Sequence, residues 1–328
     1  MADLGARYLG LALANPLVVA ASGLTSTVSG LRKAAEAGVG AVVLKSLFEE
    51  QLAAELEPAA AALEAGAHSE AADFLSGAGW IEGASEYLKL IRDAKAAAFG
   101  IPVIASVNCR GASAWTSFAA RIEEAGADAL ELNVAFMPVS AEERGSEIEE
   151  RVLGILRSVR AATSLPLAVK LGSSYTNLAN LAASLARSGA SALVLFNRFY
   201  RFDVDLDAIA LAPGPLRSSP SDYHESLRWI SILYDRVGCD LAAGTGVHDA
   251  GAALKLVLAG ASAVQLCSAL YQRGWGVVRE IVSGMGAWLD ERGEPSLAGV
   301  RGRLCQWRAE RPEDYLRIQY IKALTGIS

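Results

Sequence analysis

The sequence predicts an α/β fold, a (β/α)8 TIM barrel built as one domain over residues 1–328. Three observations carry that expectation. A phrase in which a helical stretch ends at glycine and an apolar strand follows recurs four times, as EAGVGAVVLKS (36–46), EAGADALELN (124–133), RSGASALVLFN (187–197) and LAGASAVQLCS (258–268). Four more short apolar runs, Leu17–Ala21, Pro102–Asn108, Pro166–Leu171 and Asp240–Ala243, alternate with these, each followed by turn residues and a helical pattern. Eight such strands in 328 residues favour a closed parallel barrel over the alternative, an open doubly wound sheet.

Each element has a local reason. Gly38, Gly126, Gly189 and Gly260 fit the left-handed position that ends a helix, and the Leu-, Val- and Ala-rich runs after them suit strands buried on both faces. Two longer connections interrupt the rhythm, 46–83 after the second strand and 198–224 after the sixth. Pro213, Pro215, Pro220 and several serines make the second a loop rather than another helix. Both leave from C-terminal strand ends, where barrels build their sites, so a lid or wall over a pocket is expected; surface decoration is the alternative.

Composition excludes several classes. Hydrophobic residues make up 52% and charged residues 20%, which suits a large core. The longest apolar stretches are strand-length, far short of the roughly 20 residues of a membrane span. The start, Met1-Ala2-Asp3, has no basic segment followed by an apolar one, so a secretory signal is not expected and a cytoplasmic location follows. Thirty basic against thirty-six acidic residues give −6, and no basic run interleaves with aromatics, so nucleic acid is not an expected partner. Cys109, Cys239, Cys267 and Cys305 are far apart and form no C-x-x-C, which reads as reduced thiols rather than a cluster, a metal site or disulfides.

Polar residues and glycines gather where the strands end: Ala21-Ser22-Gly23, Lys45-Ser46, Asn108, Asn133, Lys170, Asn197, Gly244-Thr245-Gly246 and Ser268. Two lysines and three asparagines around one rim exceed what a structural surface needs. Gly244-Thr245-Gly246 lies just before a helix expected at 249–259, so backbone N–H groups there and near Ser268 can converge on an anion; a merely tight turn is the other reading.

These segments carry a resemblance. Asn15-Pro16 with AASG (20–23), then LKS (44–46), ASVN (105–108), ELN (131–133), AVK (168–170), GTGV (244–247) and DAGAALKLVLAGASAVQLCSAL (249–270) resemble, in order and over nearly the whole chain, the motifs of the dihydroorotate dehydrogenases. The resemblance implies an FMN-binding barrel that oxidises a CH–CH bond in pyrimidine biosynthesis. By position it implies that Ala21, Ser22 and Gly23 line the flavin, that Lys45 and Ser46 hold its edge, and that Asn108 and Asn133 face the ring. Gly244, Thr245, Gly246 and Ser268 take the phosphate. Lys170 sits by the N1–C2=O edge, where a cation stabilises the reduced ring. A homodimer with a soluble electron acceptor is implied too, with the segment around Trp307–Tyr320 as one contact surface.

Two departures stand beside the match. Where the family carries its Cys or Ser base, this chain has Phe136, which cannot accept a proton, and Val139 replaces a substrate-binding Asn. After the sixth strand comes Asn197-Arg198-Phe199-Tyr200-Arg201. Asn197, Arg198 and Arg201 are candidates for binding an anionic substrate; alternatively the two arginines pair with Asp203 or Asp205. Replacement acid–base groups are Ser140, Tyr175, Tyr200, His68 and His224, while His248 belongs to a helix cap. Lys170, Asn133, Ser140 and Tyr200 make up the catalytic set. The functional expectation is an FMN-dependent oxidoreductase of a small anionic molecule. The alternatives are a flavin-binding barrel without dehydrogenase activity, serving electron transfer or binding, and a phosphate-sugar barrel without flavin.

Overall fold

In the computed structural model of the protein, the structure describes residues 2–48, 83–108, 115–134, 136–199, 201–310 and 312. The chain opens with a hairpin, β1 (Ala6–Tyr8) and β2 (Leu11–Leu13), followed by β3 (Leu17–Val19), α1 (Val28–Ala37), β4 (Ala41–Val43) and the two-residue β5 (Leu47–Phe48). Next come α2 (Ala84–Ala96), β6 (Val103–Asn108), α3 (Trp115–Glu124), β7 (Ala129–Asn133), α4 (Gly145–Ala162), β8 (Leu167–Leu171), α5 (Leu178–Arg187) and β9 (Ala192–Leu195). A second hairpin, β10 (Phe202–Asp205) and β11 (Ala210–Pro213), leads to α6 (His224–Leu233), β12 (Asp240–Ala243), α7 (Ala250–Ala259) and β13 (Ala263–Leu266). The described part ends with α8 (Ser268–Arg273), α9 (Gly276–Glu291) and α10 (Leu297–Val300).

Strands β3, β4, β6, β7, β8, β9, β12 and β13 pair in parallel in that order, and β13 pairs back onto β3, so the sheet closes into the expected (β/α)8 barrel. The repeated glycines act as read: Gly38, Gly126, Gly189 and Gly260 all have positive φ, the turn that sends each helix back into a strand. The two-residue period of the strands then sorts side chains. Leu17, Val42, Val107, Leu132, Val169 and Leu193 point outward into one large cluster with the helices, each such buried side chain contributing roughly 1.5–3 kcal/mol. Val18, Ala41, Val43, Ile104, Ala129, Ala168, Ala192, Val194, Ala242 and Ala263 point inward and form a second cluster.

The N-terminal hairpin plugs the lower end of that interior with Tyr8, Leu9 and Leu13. Its turn takes positive φ at both Leu9 and Gly10, and the Leu9 amide donates to Asp240 Oδ2 at 2.9 Å, tying the plug to the foot of β12.

Towards the C-terminal end the inward positions turn polar: Ser106, Asn108, Glu131, Asn133, Lys170 and Gln265 are all buried. The second barrel strand is interrupted there. β4 pairs with Val103–Ile104, the Leu44 amide still donates to the Ile104 carbonyl at 2.8 Å, and β5 pairs with Val107–Asn108, so Lys45 and Ser46 leave the ladder between them. The phenol of buried Tyr87 fills that gap, accepting from the Ser106 amide at 2.6 Å and donating to the Ser106 carbonyl at 2.8 Å. Lys45 and Ser46 are thereby set at the rim, with Ser46 Oγ 2.8 Å from Ser106 Oγ.

The connection after β9 differs from the loop expected of its prolines and serines, because it begins with the β10–β11 hairpin. Both faces of that hairpin meet solvent, so it has no core-facing stripe to announce it. The connection after the second strand lies, beyond β5, largely outside the described residues. No described helix is long and apolar enough to cross a membrane.

Candidate active site

A cleft opens over the C-terminal strand ends. Its walls are Ala20–Ser22 after β3, Lys170 on β8, Phe196–Arg198 after β9, Leu216–Ser218 from the long connection, Gly244–Val247 after β12, and Gln265, Cys267 and Ser268 from β13 and α8. Ala21, Ser22, Lys170, Asn197, Arg198, Gly244, Thr245, Gly246 and Ser268, singled out from the sequence, therefore share one surface. Gly23, Lys45, Ser46, Asn108 and Asn133 stand beside it rather than in its lining. Asn133 joins it through a neighbour, since Asn197 Nδ2 donates to Asn133 Oδ1 at 3.0 Å. The Nδ2 groups of Asn108 and Asn133 are buried with no hydrogen-bond partner among the described residues.

On the β12–β13 side the cleft is held by a chain of short contacts. Thr245 and Gly246 both take positive φ, which turns the backbone sharply before Asp249 caps α7 by accepting from the Ala252 amide at 2.8 Å. The Gly246 amide donates to Ser218 Oγ at 3.3 Å, and the Ser218 amide donates to Ser268 Oγ at 2.9 Å. Ser218 Oγ also meets His248 Nε2 at 3.1 Å. His248 is buried beneath this loop, one residue before the cap, and burial holds its pKa below the ordinary value. Ser218 was not found from the sequence, because it reaches the site from a connection whose register no periodicity fixes. Gly246 is required by the fold itself: a Cβ there would lie 2.2 Å from the Tyr223 backbone nitrogen.

Arg198 is neither paired with Asp203 or Asp205 nor facing the cleft with a free fork. Its guanidinium donates to the carbonyls of Pro215 (2.6 Å), Leu216 (3.1 Å) and Arg217 (3.3 Å) and so pins the long connection over the cleft. Burial, and then the nearby Arg201, lower its pKa. Arg201 is exposed and offers its carbonyl to the Gly214 amide at the base of the hairpin. In this structure the Arg198 fork thus serves as a loop anchor, a role outside both readings of the sequence.

At the floor, Lys170 Nζ lies 3.5 Å from Glu131 Oε1, and Gln265 Nε2 donates to Glu131 Oε2 at 2.7 Å. Glu131 and Gln265 occupy the inward positions of β7 and β13. The signal in the sequence is a Glu and a Gln inside otherwise apolar strands, and neither is among the site residues expected from it.

The segment after β7 is built differently. The Phe136 ring packs against the outer apolar cluster and under the Arg151 guanidinium, 5.3 Å from the ring centroid, while Arg151 also pairs with Glu143. Phe136, Tyr175, Phe199 and Ile148, with the carboxylates of Glu143 and Glu149, line a second rim pocket of about 250 Å³. Burial, and then Glu149, push Tyr175 up to about 12. Val139 is exposed, and Ser140 is exposed with its hydroxyl accepting from the Glu142 amide at 3.2 Å, lining neither pocket. His224 begins α6 at the surface, stacked on Tyr223 and bonded to the Ser221 carbonyl. Tyr200 and His68 lie outside the described residues, as does most of the segment Trp307–Tyr320.

An eight-stranded parallel barrel with a polar cleft over its C-terminal rim defines the class of molecule. Residues 3–289 match the family model described as dihydroorotate dehydrogenase, and the chain belongs to that family. It is 30% identical over 310 residues to the dihydroorotate dehydrogenase B (NAD(+)) catalytic subunit of Thermoplasma acidophilum, covering 92% of this chain and 99% of the relative. It is 28% identical over 297 residues to the protein of the same description from Thermoplasma volcanium (89% and 95%), and 29% identical over 289 residues to that from Methanocella arvoryzae (86% and 92%).

Proposed function

We propose that this chain is an FMN-dependent oxidoreductase of dihydroorotate dehydrogenase type in which the cofactor side of the site is kept and the substrate side is rebuilt. One observation carries the reading: a buried ammonium, two buried amide donors without partners among the described residues and a serine-tied loop of positive φ converge on a single rim. Lys170 fits the electron-rich N1–C2=O side of a flavin, Lys45 and Ser46 its edge, Ala21, Ser22, Gly23, Asn108 and Asn133 its ring, and Gly244–Gly246 with Ser268 its phosphate. FMN would supply a two-electron acceptor for hydride leaving a carbon atom. The long connection, anchored by Arg198, walls the cleft from water.

The proton that accompanies hydride loss needs a different acceptor from the family's. Phe136 has none, and Tyr175, held near 12, stays protonated at neutral pH and donates rather than accepts. Because Arg198 is occupied by carbonyls and Arg201 is exposed, the case for an anionic substrate loses its two clamps. A second reading, a flavin-binding barrel that passes electrons without oxidising a CH–CH donor, is favoured by the outward ring of Phe136. The deciding experiment is anaerobic bleaching of the FMN-loaded protein with dihydroorotate and a panel of other CH–CH donors. Bleaching by any donor supports the dehydrogenase; a flavin reduced by dithionite but by no donor supports the second reading.

The β10–β11 hairpin exposes Phe202, Val204, Leu206, Ile209 and Leu211, five large apolar side chains within ten residues. Among the described residues β10 and β11 pair only with each other, and the strand edges so left would suit a second copy pairing edge to edge in a homodimer. Light scattering should give twice the chain mass at micromolar concentration; the mass of one chain would refute the homodimer.

A further inference from the structure

The deepest charged group of the barrel lies below the rim. Glu131 is 1% exposed, inside a ring of alanines and valines, and Lys170 above it lines the cleft. In such surroundings a lone ammonium loses its proton and a lone carboxylate gains one, because neither charge is solvated. Together, and with a hydrogen bond to spare, both charges survive. Gln265 supplies that bond to Oε2, leaving Oε1, which accepts no hydrogen bond among the described residues, turned to Lys170 Nζ.

The other titratable groups near the pair leave this assignment intact. Tyr8 approaches Glu131 from the plug, and burial followed by Glu131 holds its phenol neutral, far above the neutral range. Asp240 and Cys239 act on Tyr8 from the foot of the barrel, and Asp240 is bonded to the Leu9 amide and the Ser262 hydroxyl. Among the described residues Lys45, between β4 and β5, is the other buried lysine of the rim.

We propose that Glu131 is a positioning residue: it is the counter-ion that keeps Lys170 protonated and aimed into the cleft, with Gln265 fixing the carboxylate. The pair stands on its own geometry, whereas its consequence for a flavin rests on the FMN reading above. A protonated Lys170 gives any electron-rich ring in the cleft a fixed positive charge across the neutral pH range; without Glu131 that charge titrates.

Four proteins test this: wild type, Glu131→Gln, Lys170→Met and the double variant. In thermal unfolding at pH 7.5, each single change should lower the midpoint strongly and the double change should recover most of the loss. Simple addition of the two losses would overturn the pairing. If Glu131→Gln fails to fold while the double variant folds, a buried ammonium that has lost its Glu131 counter-ion is the cause and the proposal stands; if both fail, Glu131 is structural and the proposal falls. With FMN loaded, the midpoint potential of Glu131→Gln should steepen by one proton per two electrons within pH 6–9, because reduction now recharges a neutral Lys170. A slope parallel to wild type would overturn the proposal. Failure of wild type to take up FMN would refute the FMN reading alone, since the unfolding cycle needs no cofactor.

Discussion

Two stretches of one rim, both launched from C-terminal strand ends, are built by opposite rules. After β12 the chain turns at once, and Gly246, Ser218, Ser268 and His248 bind one another within 3.3 Å. After β7 it wanders, leaving Val139 and Ser140 in solvent and turning Phe136 outward under Arg151. The first stretch is held by a tight turn and short contacts between backbone amides and buried side chains. The second recognises through side chains on a loop, and a few substitutions rewrite it. A barrel can thus keep its cofactor apparatus while its chemistry changes.

The largest expected effect sharpens that contrast. Dihydroorotate should bleach the FMN-loaded protein about 10²–10⁴-fold more slowly than an enzyme with a base in place, about 3–5 kcal/mol of barrier. Phe136→Cys should not restore the rate, because that side chain points toward Arg151 and the outer cluster rather than the cleft. Stopped-flow bleaching decides; rapid reduction of the unmodified protein would mean that another residue, such as Ser140 or Tyr200, reaches the substrate carbon, and rapid reduction of Phe136→Cys alone that position 136 reaches it.

Next comes the tight side. Gly246→Asp should cost about 3 kcal/mol or more and empty the site, since its Cβ meets the Tyr223 backbone and its φ is positive. Unfolding midpoints and flavin absorbance report the two losses separately. Arg198→Met should be milder, about 1–3 kcal/mol, by freeing three carbonyls from their shared donor. Its signature is faster hydrogen exchange in residues 214–222 with the barrel strands unchanged.

The smallest effect is a pH dependence. His248 has its folded pKa below the ordinary 6.5, so the unfolded chain binds its proton first. The stability it contributes is present above about pH 6.5 and declines as pH falls below it. His248→Gln should flatten that part of the unfolding profile; an unchanged profile would assign the dependence to another group.

Much of this was legible in the sequence, for physical reasons. The four glycine-ended phrases mark positions where only a left-handed turn returns the chain to the barrel, and all eight strands stand where the apolar runs placed them. Glu131 and Gln265 left a signal, a Glu and a Gln inside otherwise apolar strands with Glu131 one strand period below Asn133, yet neither is among the site residues expected from the sequence. Ser218 was not legible, since its partner Ser268 is fifty residues away in the chain. Nor were the outward turn of Phe136, the hairpin β10–β11 or the carbonyl clamp of Arg198. Those depend on how aperiodic connections fold over a surface, where neither helix nor strand period constrains a side chain.

The measurement closest to the central claim is FMN titration of the intact protein, following flavin absorbance and fluorescence, beside the Gly246→Asp variant. One FMN per chain should bind to the wild type and none to the variant at concentrations that saturate the wild type. A wild-type protein that stays colourless with excess FMN, or a variant that binds as tightly, would contradict the assignment of this rim as a flavin site.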